Sequence, residues 1–252
     1  SGCAAIRIPK CAMRNGDGFT MTDVAGKNVL VIDTATDSVV TGVATITASG
    51  VNVLAQRSIS DHRRHAELLT TQMGEVLDES GVGRGDLAAV VVGCGPGPFT
   101  GLRVGMATAA AFADALGLPA YGVCSLDALA AQVCHDRPDV TTVAVISDAR
   151  RREVYWARYE SGNRTAGPEV AAPASVTAAV TGVDVAAGSP VHIEAVGLVV
   201  NAEAPSVPTV FGLATAAAAA VLSGSSPEPI VPLYLRRPDA VERQRPAKAA
   251  LR

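Results

Sequence analysis

The chain has 252 residues, of which 48% are hydrophobic and 18% charged, so it can bury a sizeable core and is not a disordered sequence. This length accommodates two small domains or one large one. A net charge of −3 excludes an overall basic surface that binds nucleic acid unaided, and leaves only a local basic patch open. No apolar run suits a membrane span or a signal sequence, so we expect a cytoplasmic protein without membrane contact. The five cysteines form no Cys-x-x-Cys pair, which argues against a disulfide framework or a zinc ribbon.

The N-terminal stretch lacks hydrophobic periodicity, and residues 1–27 are expected to be a disordered extension or an expression remnant. A meander of three strands follows, because β-branched residues alternate with others between polar turns. The pattern then changes to the helical period, with an apolar stripe that ends at a glycine. The predicted strands are Asn28–Asp33, Val39–Ile46 and Val51–Ile59, and the helix covers His62–Gly81.

A strand, a turn rich in glycine and proline, and an alanine-rich helix come next. We predict the strand at Ala88–Val92 and the helix at Gly101–Leu116. The glycines of the turn are Gly93, Gly95, Gly97 and Gly101. They would let backbone amides approach a ligand closely, and the helix start would attract an anion, which is typical of a phosphate or nucleotide loop. The turn is neither a P-loop, since no Lys-Ser/Thr follows the last glycine, nor a dinucleotide fingerprint, since its spacing is one residue too long.

A second unit is predicted to start near Pro119, with Ser125 capping a short helix. Residues 160–190 are rich in Gly, Pro, Ala and Thr and are expected to form loops and short elements. An alanine-rich helix and the segment PLYLRR then close the fold. The predicted helices are Ser125–Cys134 and Gly212–Leu222, the strands are Val143–Ile146, Arg152–Tyr159 and Val191–Val196, and the closing segment is Pro232–Arg237.

An aspartate follows one strand and precedes another in both halves of the chain: Asp33 in VLVIDTATDSV and Asp148 in VAVISDARRREVYW. This repeat predicts a duplicated α/β fold. It resembles the actin, sugar-kinase and Hsp70 superfamily, in which each half is an RNase H-like βββαβα domain with a mixed sheet flanked by helices. In that superfamily the two aspartate turns face a nucleotide cleft. The resemblance implies domains at 28–118 and 119–211, with about 212–238 packing back on the first and 239–252 forming a tail.

Five segments in this order, VLVIDTAT, HAELL, GPGPFTGLRVG, DARRREVYWARY and PLYLRRP, resemble the TsaB (YeaZ) family over about residues 28–238. GPGPFTGLRVG is the most specific of them. The resemblance implies a non-catalytic scaffold or activating subunit of the bacterial machinery that places threonylcarbamoyl on the tRNA adenosine next to the anticodon. The implied partners are the catalytic paralogue TsaD and the ATPase TsaE. A homodimer is the open alternative, and tRNA is reached only through the complex.

The catalytic paralogue that this resemblance implies binds a metal through His-x-Glu-Gly-His on its first long helix. The corresponding string here is HAELL, which begins at His65, so Leu69 stands where the second histidine would share the helix face. His62 lies three residues before His65, at or before the helix start. We therefore expect solvated or capping histidines, no metal, and no catalytic residue in the chain itself.

The superfamily resemblance implies at most weak binding of Mg-ATP or ADP. The two aspartates, the glycine turn and the arginines after Asp148 each have a structural alternative. The aspartates could accept hydrogen bonds from backbone amides of their turns, the glycines could let a helix pack closely, and the arginines could form a solvated turn. Both interpretations stay open at this point. The residues of the predicted nucleotide site are Asp33, Thr34, Gly95, Gly97, Thr100, Asp148 and Arg150.

The first two predicted helices each carry an apolar side, and the alanines of the second permit close contact between helices. In the resembled family these helices form a four-helix bundle with a second copy of the subunit or with the catalytic paralogue. We expect a partner interface on this face, with packing in the chain's own core as the alternative. The predicted interface residues are Leu68, Leu69, Met73, Val76 and Met106.

Two other functions compete with the scaffold role. One is an independent ATP-dependent enzyme of the sugar-kinase type that uses Asp33 and Asp148, although residues 160–190 supply no obvious sugar site. The other is a metallopeptidase-like protein, which the incomplete motif at His65 disfavours.

Overall fold

A computed structural model describes residues 26–60 and 65–236, without the side chains of 65–67. Most of the predicted extension 1–27 and all of the predicted tail 239–252 lie outside these residues. The described chain forms two β-sheets that are covered by helices. The strands are Lys27–Asp33 (β1), Ser38–Thr47 (β2), Gly50–Ser60 (β3), Leu87–Gly93 (β4), Ala120–Val123 (β5), Thr142–Asp148 (β6), Val154–Glu160 (β7), Asn163–Ala171 (β8) and Val185–Gly188 (β9). The helices are His65–Ser80 (α1), Phe99–Leu116 (α2), Ser125–Asp136 (α3), Pro173–Val180 (α4), Pro190–Ala195 (α5) and Val210–Ser223 (α6), with one 3₁₀ turn at Arg84–Asp86.

The first sheet has the strand order β3-β2-β1-β4-β5, in which β1 pairs antiparallel with β2 and parallel with β4. Strand β4 and the centre of β1, from Val29 to Ile32, are apolar because helices cover both of their faces. On one face Leu30 and Ile32 pack with α1 and α2, and on the other Val29 and Val31 pack with α6. Helix α6 thus returns from the end of the described chain to cover the first sheet.

The second sheet has the order β8-β7-β6-β9, with β6 antiparallel to β7 and parallel to β9. Helix α3 packs with Val143 and Val145 on one face. Helices α4 and α5 pack with Ala144 and Ile146 on the other. The alternation of these four residues along β6 therefore divides the core of this half into two layers.

Both sheets are built to one plan, a three-stranded antiparallel meander followed by a helix and a strand parallel to the first. Asp33 ends the first strand of one meander, and Asp148 ends the first strand of the other. The predicted duplicated, RNase H-like α/β fold with mixed sheets flanked by helices is confirmed. Among residues 26–60 and 65–236, none of the helices is both long and apolar enough to cross a bilayer.

The first sheet extends further along the chain than the predicted boundary at residue 118. Strand β5 pairs parallel with β4, with Val90 opposite Ala120 and Gly93 opposite Val123. Helix α3 starts at Ser125, immediately after β5 ends. The connection between the two halves is therefore direct, and Pro119, near which the second unit was predicted to start, lies immediately before the last strand of the first sheet.

Residues 160–190, expected to form loops and short elements, contain β8, α4 and β9. The pair Gly167-Pro168 interrupts the strand pattern of β8 in the sequence. Proline is tolerated there because β8 is an edge strand. The predicted strand at Val191–Val196 is wrong. This segment is α5, because Pro190 occupies its first turn and favours a helix start, which outweighs the β-branched residues.

Several element starts also differ from the predictions. Helix α2 begins at Phe99 and not at Gly101. The N-cap of α3 is Cys124, so Ser125 lies inside the helix and its hydroxyl is available for another bond. Strand β7 starts two residues later than predicted because Arg150–Arg152 form a turn with positive φ angles. The closing segment Pro232–Arg236 has no regular secondary structure.

Candidate functional site

A cavity of about 210 Å³ lies between the two halves of the chain. The segments that follow β1, β4, β6 and β9 all contribute to it, which is where open α/β sheets place their ligands. The first half supplies Ala35, Thr36, Asp37 and Pro98, and the second supplies Ser147, Asp148, Arg150, Ser189, Pro190, Ser206 and Val207. The cavity therefore combines several hydroxyl groups with two carboxylates and one guanidinium.

Asp33 does not face this cavity, because its side chain is fully buried. Its Oδ2 accepts a 2.6 Å hydrogen bond from the Ser125 hydroxyl, and its Oδ1 accepts a 2.8 Å bond from the backbone N–H of Ala35. Burial raises the pKa of Asp33 from 3.8 to about 6, although both hydrogen bonds oppose the increase. The carboxyl group thus links the end of β1 to the start of α3.

The glycine turn after β4 is shaped around the chain's own turn after β1. A β-carbon at Gly93 would collide with the Asp33 carboxylate, and one at Gly97 would collide with the carbonyl of Ala35. Thr34 is also buried here, where its hydroxyl donates to the Gly101 carbonyl at 2.7 Å and accepts from the Gly105 N–H at 3.1 Å. The close approach that these glycines permit is therefore made by protein backbone and side chains.

The predicted nucleotide residues fall into two groups. Asp33, Thr34, Gly95 and Gly97 are buried, whereas Thr100, Asp148 and Arg150 are accessible. Of the accessible three, Asp148 and Arg150 line the cavity, and Thr100 lies on the first turn of α2.

Arg150 connects the two halves at the edge of the cavity. One of its guanidinium nitrogens lies 2.7 Å from Asp37 Oδ1, and the other lies 3.0 Å from Asp148 Oδ2. Its backbone N–H also donates to Asp148 Oδ1 at 2.6 Å. Because the side chains of Arg150 and Asp37 are more than half exposed, these ion pairs orient the cavity wall but add little to stability.

The sequence analysis missed Ser189, which lines the cavity, and His192, which contacts both Ser189 and Asp148. The Ser189 hydroxyl lies 2.8 Å from His192 Nδ1, and His192 Nε2 lies 3.3 Å from Asp148 Oδ1. The order is that of a serine hydrolase triad, but Ser189 and His192 are only three residues apart, at the N-cap and in the first turn of α5, so their contact is local. Since Asp148 is already bound by Arg150, the arrangement anchors α5 to the turn after β6. A Ser-Pro-x-His string directly after a strand is the only sequence signal for it.

Four of the five predicted interface residues belong to the core of the chain. Leu69 and Val76 are fully buried, and Met73 and Met106 are at most 7% exposed, because α1 and α2 pack these side chains against the first sheet. Only Leu68 is partly exposed. Core packing, which was the alternative to a partner interface, therefore accounts for the contacts of these four side chains within the chain.

Most side chains of the predicted histidine motif lie outside the part of the chain that the structure describes. His62 is outside the described residues, and the side chains of His65 and Glu67 are not described. Among the side chains that are described, no group of three or more His, Cys, Asp or Glu residues is arranged to hold a metal ion.

Comparisons with known proteins agree with the motifs. The model of the family described as TsaD, tRNA N6-adenosine threonylcarbamoyltransferase, matches residues 52–245. An uncharacterized protein of Mycobacterium tuberculosis is 49% identical over 221 residues, which are 87% of this chain and 97% of the relative. The tRNA threonylcarbamoyladenosine biosynthesis protein TsaB of Escherichia coli is 35% identical over 137 residues, covering 52% of this chain and 54% of TsaB.

A solved structure extends the similarity to nearly the whole described fold. YeaZ from Pseudomonas aeruginosa superimposes with a TM-score of 0.68 at 26% identity, over 83% of this chain and all of the other. The model of the TsaD family covers more than half of the chain, and the relatives with a named role or structure are a TsaB protein and a YeaZ protein. The duplicated fold, the glycine turn and these relatives together show that the chain belongs to the TsaB (YeaZ) family.

Proposed function

We propose that the chain is an accessory subunit of the bacterial machinery that forms threonylcarbamoyladenosine in tRNA, and that it has no active site of its own. It would dock on the catalytic paralogue TsaD and act with the ATPase TsaE. Membership of the TsaB family supports the biosynthetic role. The observation that carries the non-catalytic assignment is the burial of Asp33, whose carboxyl group is bonded to Ser125 and Ala35 and not directed into the cleft.

The outward side of α2 supports a docking role. Arg103 and Asp114 are exposed on this helix, and it also carries a stripe of exposed or partly exposed residues that are spaced three or four apart and are small or apolar. They are Val104, Ala107, Thr108, Ala111 and Ala115. The inward side of the same helix is buried against α1 and the sheet, so the outward side can meet a partner helix closely without disturbing the core. In this proposal, the partly exposed Leu68 of α1 contributes to the same face.

Assembly can be measured by light scattering on a size-exclusion column, with the chain alone and then with TsaD of the same organism. We expect a mixed species at tens of micromolar, which is ordinary for weak subunit contacts. Ala111→Glu places a charge on the exposed side of α2 and should abolish the mixed species without unfolding the chain. The matched control is Ala178→Glu on α4 in the second half, which is also exposed and helical and should leave the complex intact.

Three outcomes are informative. A mixed species that Ala111→Glu removes and Ala178→Glu retains would support docking through α2. If the wild-type chain forms no mixed species, the scaffold role is wrong. If the chain alone is a dimer that Ala111→Glu dissociates, the face serves a second copy. Leu69→Glu is not a useful variant here because Leu69 is fully buried and the change would disrupt the fold.

Weak nucleotide binding is a separate proposal for the cleft, because Asp148 and Arg150 remain accessible there. Titration calorimetry with Mg-ATP and with ADP would measure it. An independent enzyme of the sugar-kinase type requires both aspartates, so Asp33→Asn and Asp148→Asn should each abolish binding. If only Asp148→Asn matters, the enzyme alternative loses its main residue, in agreement with the buried position of Asp33.

A further inference from the structure

An exposed aromatic pair lies at the start of α2, next to the cleft. Phe99 and Tyr234 stack with their ring centroids 5.1 Å apart and an interplanar angle of 24°. The guanidinium of Arg103 lies 3.9 Å from the centre of the Phe99 ring, and its Nε donates to the Tyr234 hydroxyl at 3.2 Å. Phe99 is nevertheless 49% exposed and Tyr234 43% exposed. The ring surfaces are thus oriented by contacts within the chain while much of their area remains open to solvent.

The closing segment joins this pair to the arginine turn of the second half. The Leu233 N–H donates to the Cys94 carbonyl at 2.9 Å, which holds the segment against the glycine turn. Two residues beyond Tyr234, Arg236 donates to the Ala149 carbonyl at 3.1 Å. The aromatic pair and the turn at Arg150–Arg152 therefore lie along one edge of the molecule.

The arginine turn has an unusual backbone. Arg150, Arg151 and Arg152 have φ angles of 61°, 54° and 64°, a left-handed conformation that is unfavourable for residues other than glycine. Two hydrogen bonds maintain it: Arg150 N–H to Asp148 Oδ1 at 2.6 Å, and Glu153 N–H to the Arg150 carbonyl at 3.0 Å. Strained conformations of this kind cluster at binding sites, and here Arg151 and Arg152 are directed to the exposed surface.

Among the residues that the structure describes, the charged side chains named at this edge include more arginines than carboxylates. Arg150 pairs with Asp37 and Asp148, and Arg236 pairs with Glu153. Arg103, Arg151 and Arg152 are also exposed at this edge. This basic edge occurs on a chain whose net charge is −3, so the charge is concentrated locally and not spread over the surface.

We propose that this edge binds single-stranded RNA, with unpaired bases stacking on the Phe99–Tyr234 pair and phosphates contacting Arg103 and Arg152. Flat aromatic surfaces beside guanidinium groups are the chemistry that recognises unpaired bases and their backbone. A duplex would not present base faces to the rings. The proposal rests on the proposed function, because a subunit of a tRNA-modifying complex meets RNA and not DNA. It places a direct RNA contact on this chain, whereas the sequence led us to expect tRNA contact only through the complex.

Fluorescence anisotropy of the full chain with a labelled single-stranded RNA of about 12 nucleotides tests the proposal at about 50 mM salt. Phe99→Leu keeps an apolar side chain but removes the ring, and should weaken binding about tenfold. Phe99→Tyr should restore it. Arg152→Ala should weaken binding and reduce the slope of log affinity against log salt by about 0.7, the contribution of one phosphate contact.

Arg84→Ala is the matched control and should leave binding unchanged. Arg84 is also an exposed arginine, but it lies just before the first residue of β4, at the end of that strand away from the glycine turn. The proposal is overturned by any of three results. These are no binding at tens of micromolar, equal binding by wild type and Phe99→Leu, or tighter binding to duplex RNA or to single-stranded DNA of the same sequence. Thermal unfolding of each variant checks that the fold is retained.

Complex formation with TsaD, measured by light scattering on the same variants, separates this proposal from the proposed function. If RNA does not bind and the complex with TsaD still forms, the RNA proposal is wrong and the scaffold role stands. If Phe99→Leu prevents the complex and RNA does not bind, the aromatic pair is a contact for a protein, which also overturns the RNA proposal.

Discussion

The Ser125 hydroxyl and the Asp33 carboxyl group, 92 residues apart in the chain, form a hydrogen bond of 2.6 Å in a fully buried position. The bond joins the end of β1 in the first half to the first turn of α3, which packs on the second sheet. Gly93 lies directly beside it, since a β-carbon there would collide with the carboxylate. An aspartate that would face a nucleotide in the resembled superfamily therefore connects the two halves of this chain.

The raised pKa of Asp33 predicts a pH-dependent stability. The pKa is 3.8 in the unfolded chain and about 6 in the folded one, so the stabilising contribution is complete below about pH 4 and is lost as pH rises through 6. Asp33→Asn removes the cost of burying a charged carboxylate at high pH. It should therefore increase the free energy of unfolding at pH 8, relative to wild type, by up to about 3 kcal/mol. Urea unfolding of both proteins between pH 5 and pH 8 measures the difference (about 1.4 kcal/mol per unit of pKa shift). A difference that does not change with pH would contradict the assignment.

Substitutions at two glycines should change the stability of the fold in opposite directions. Gly97→Ala should destabilise the fold by about 2–3 kcal/mol, because the new methyl group meets the backbone of Ala35 and neither segment can move freely. Gly74→Ala in α1 meets no atom within 4 Å and should stabilise by about 0.5–1 kcal/mol, since alanine favours a helix. Urea unfolding of the two variants provides the comparison. Equal effects of both changes would show that close approach is not what Gly97 provides.

The buried ion pair between Asp127 and Arg164, at 2.9 Å, should be sensitive to the loss of one partner. Burial raises the pKa of Asp127, while Arg164 and the Tyr159 hydroxyl oppose this shift. Arg164→Met leaves an unpaired carboxylate and should cost about 3–5 kcal/mol in unfolding free energy at pH 7. Asp127→Asn combined with Arg164→Met keeps a neutral acceptor for Tyr159 and should recover most of the loss. If the double variant is as unstable as the single one, an unpaired charge is not the cause.

The left-handed arginine turn predicts a gain of stability on substitution by glycine. Arg152 has a φ of 64° and an exposed side chain, so Arg152→Gly removes backbone strain without removing buried contacts. We expect the free energy of unfolding to rise by about 1 kcal/mol, measured by urea unfolding. Arg84→Gly, where φ offers no such relief, should not stabilise the chain. The same Arg152→Gly variant should bind RNA more weakly, so that stability and binding change in opposite directions.

The sequence determined the features that depend on neighbours along the chain. The alternation around Asp33 and Asp148 predicted strands that end in aspartate turns, and their repetition predicted the duplicated fold. The glycine turn was recognisable because glycines and prolines punctuate the backbone locally. The same local rules failed at α5, where a proline in the first turn outweighed β-branched residues, and at β8, where Gly167-Pro168 obscured an edge strand.

Only the tertiary structure decided which surfaces are covered. The apolar stripe containing Leu69 and Met73 predicts a buried face equally well for a core and for an interface, and the position of α1 on the first sheet made it core. Similarly, a carboxylate at a strand end is compatible with a ligand or with an internal bond, and the approach of α3 placed Ser125 beside Asp33. Burial depends on contacts between segments that are far apart in the chain, which periodicity and turn chemistry do not encode.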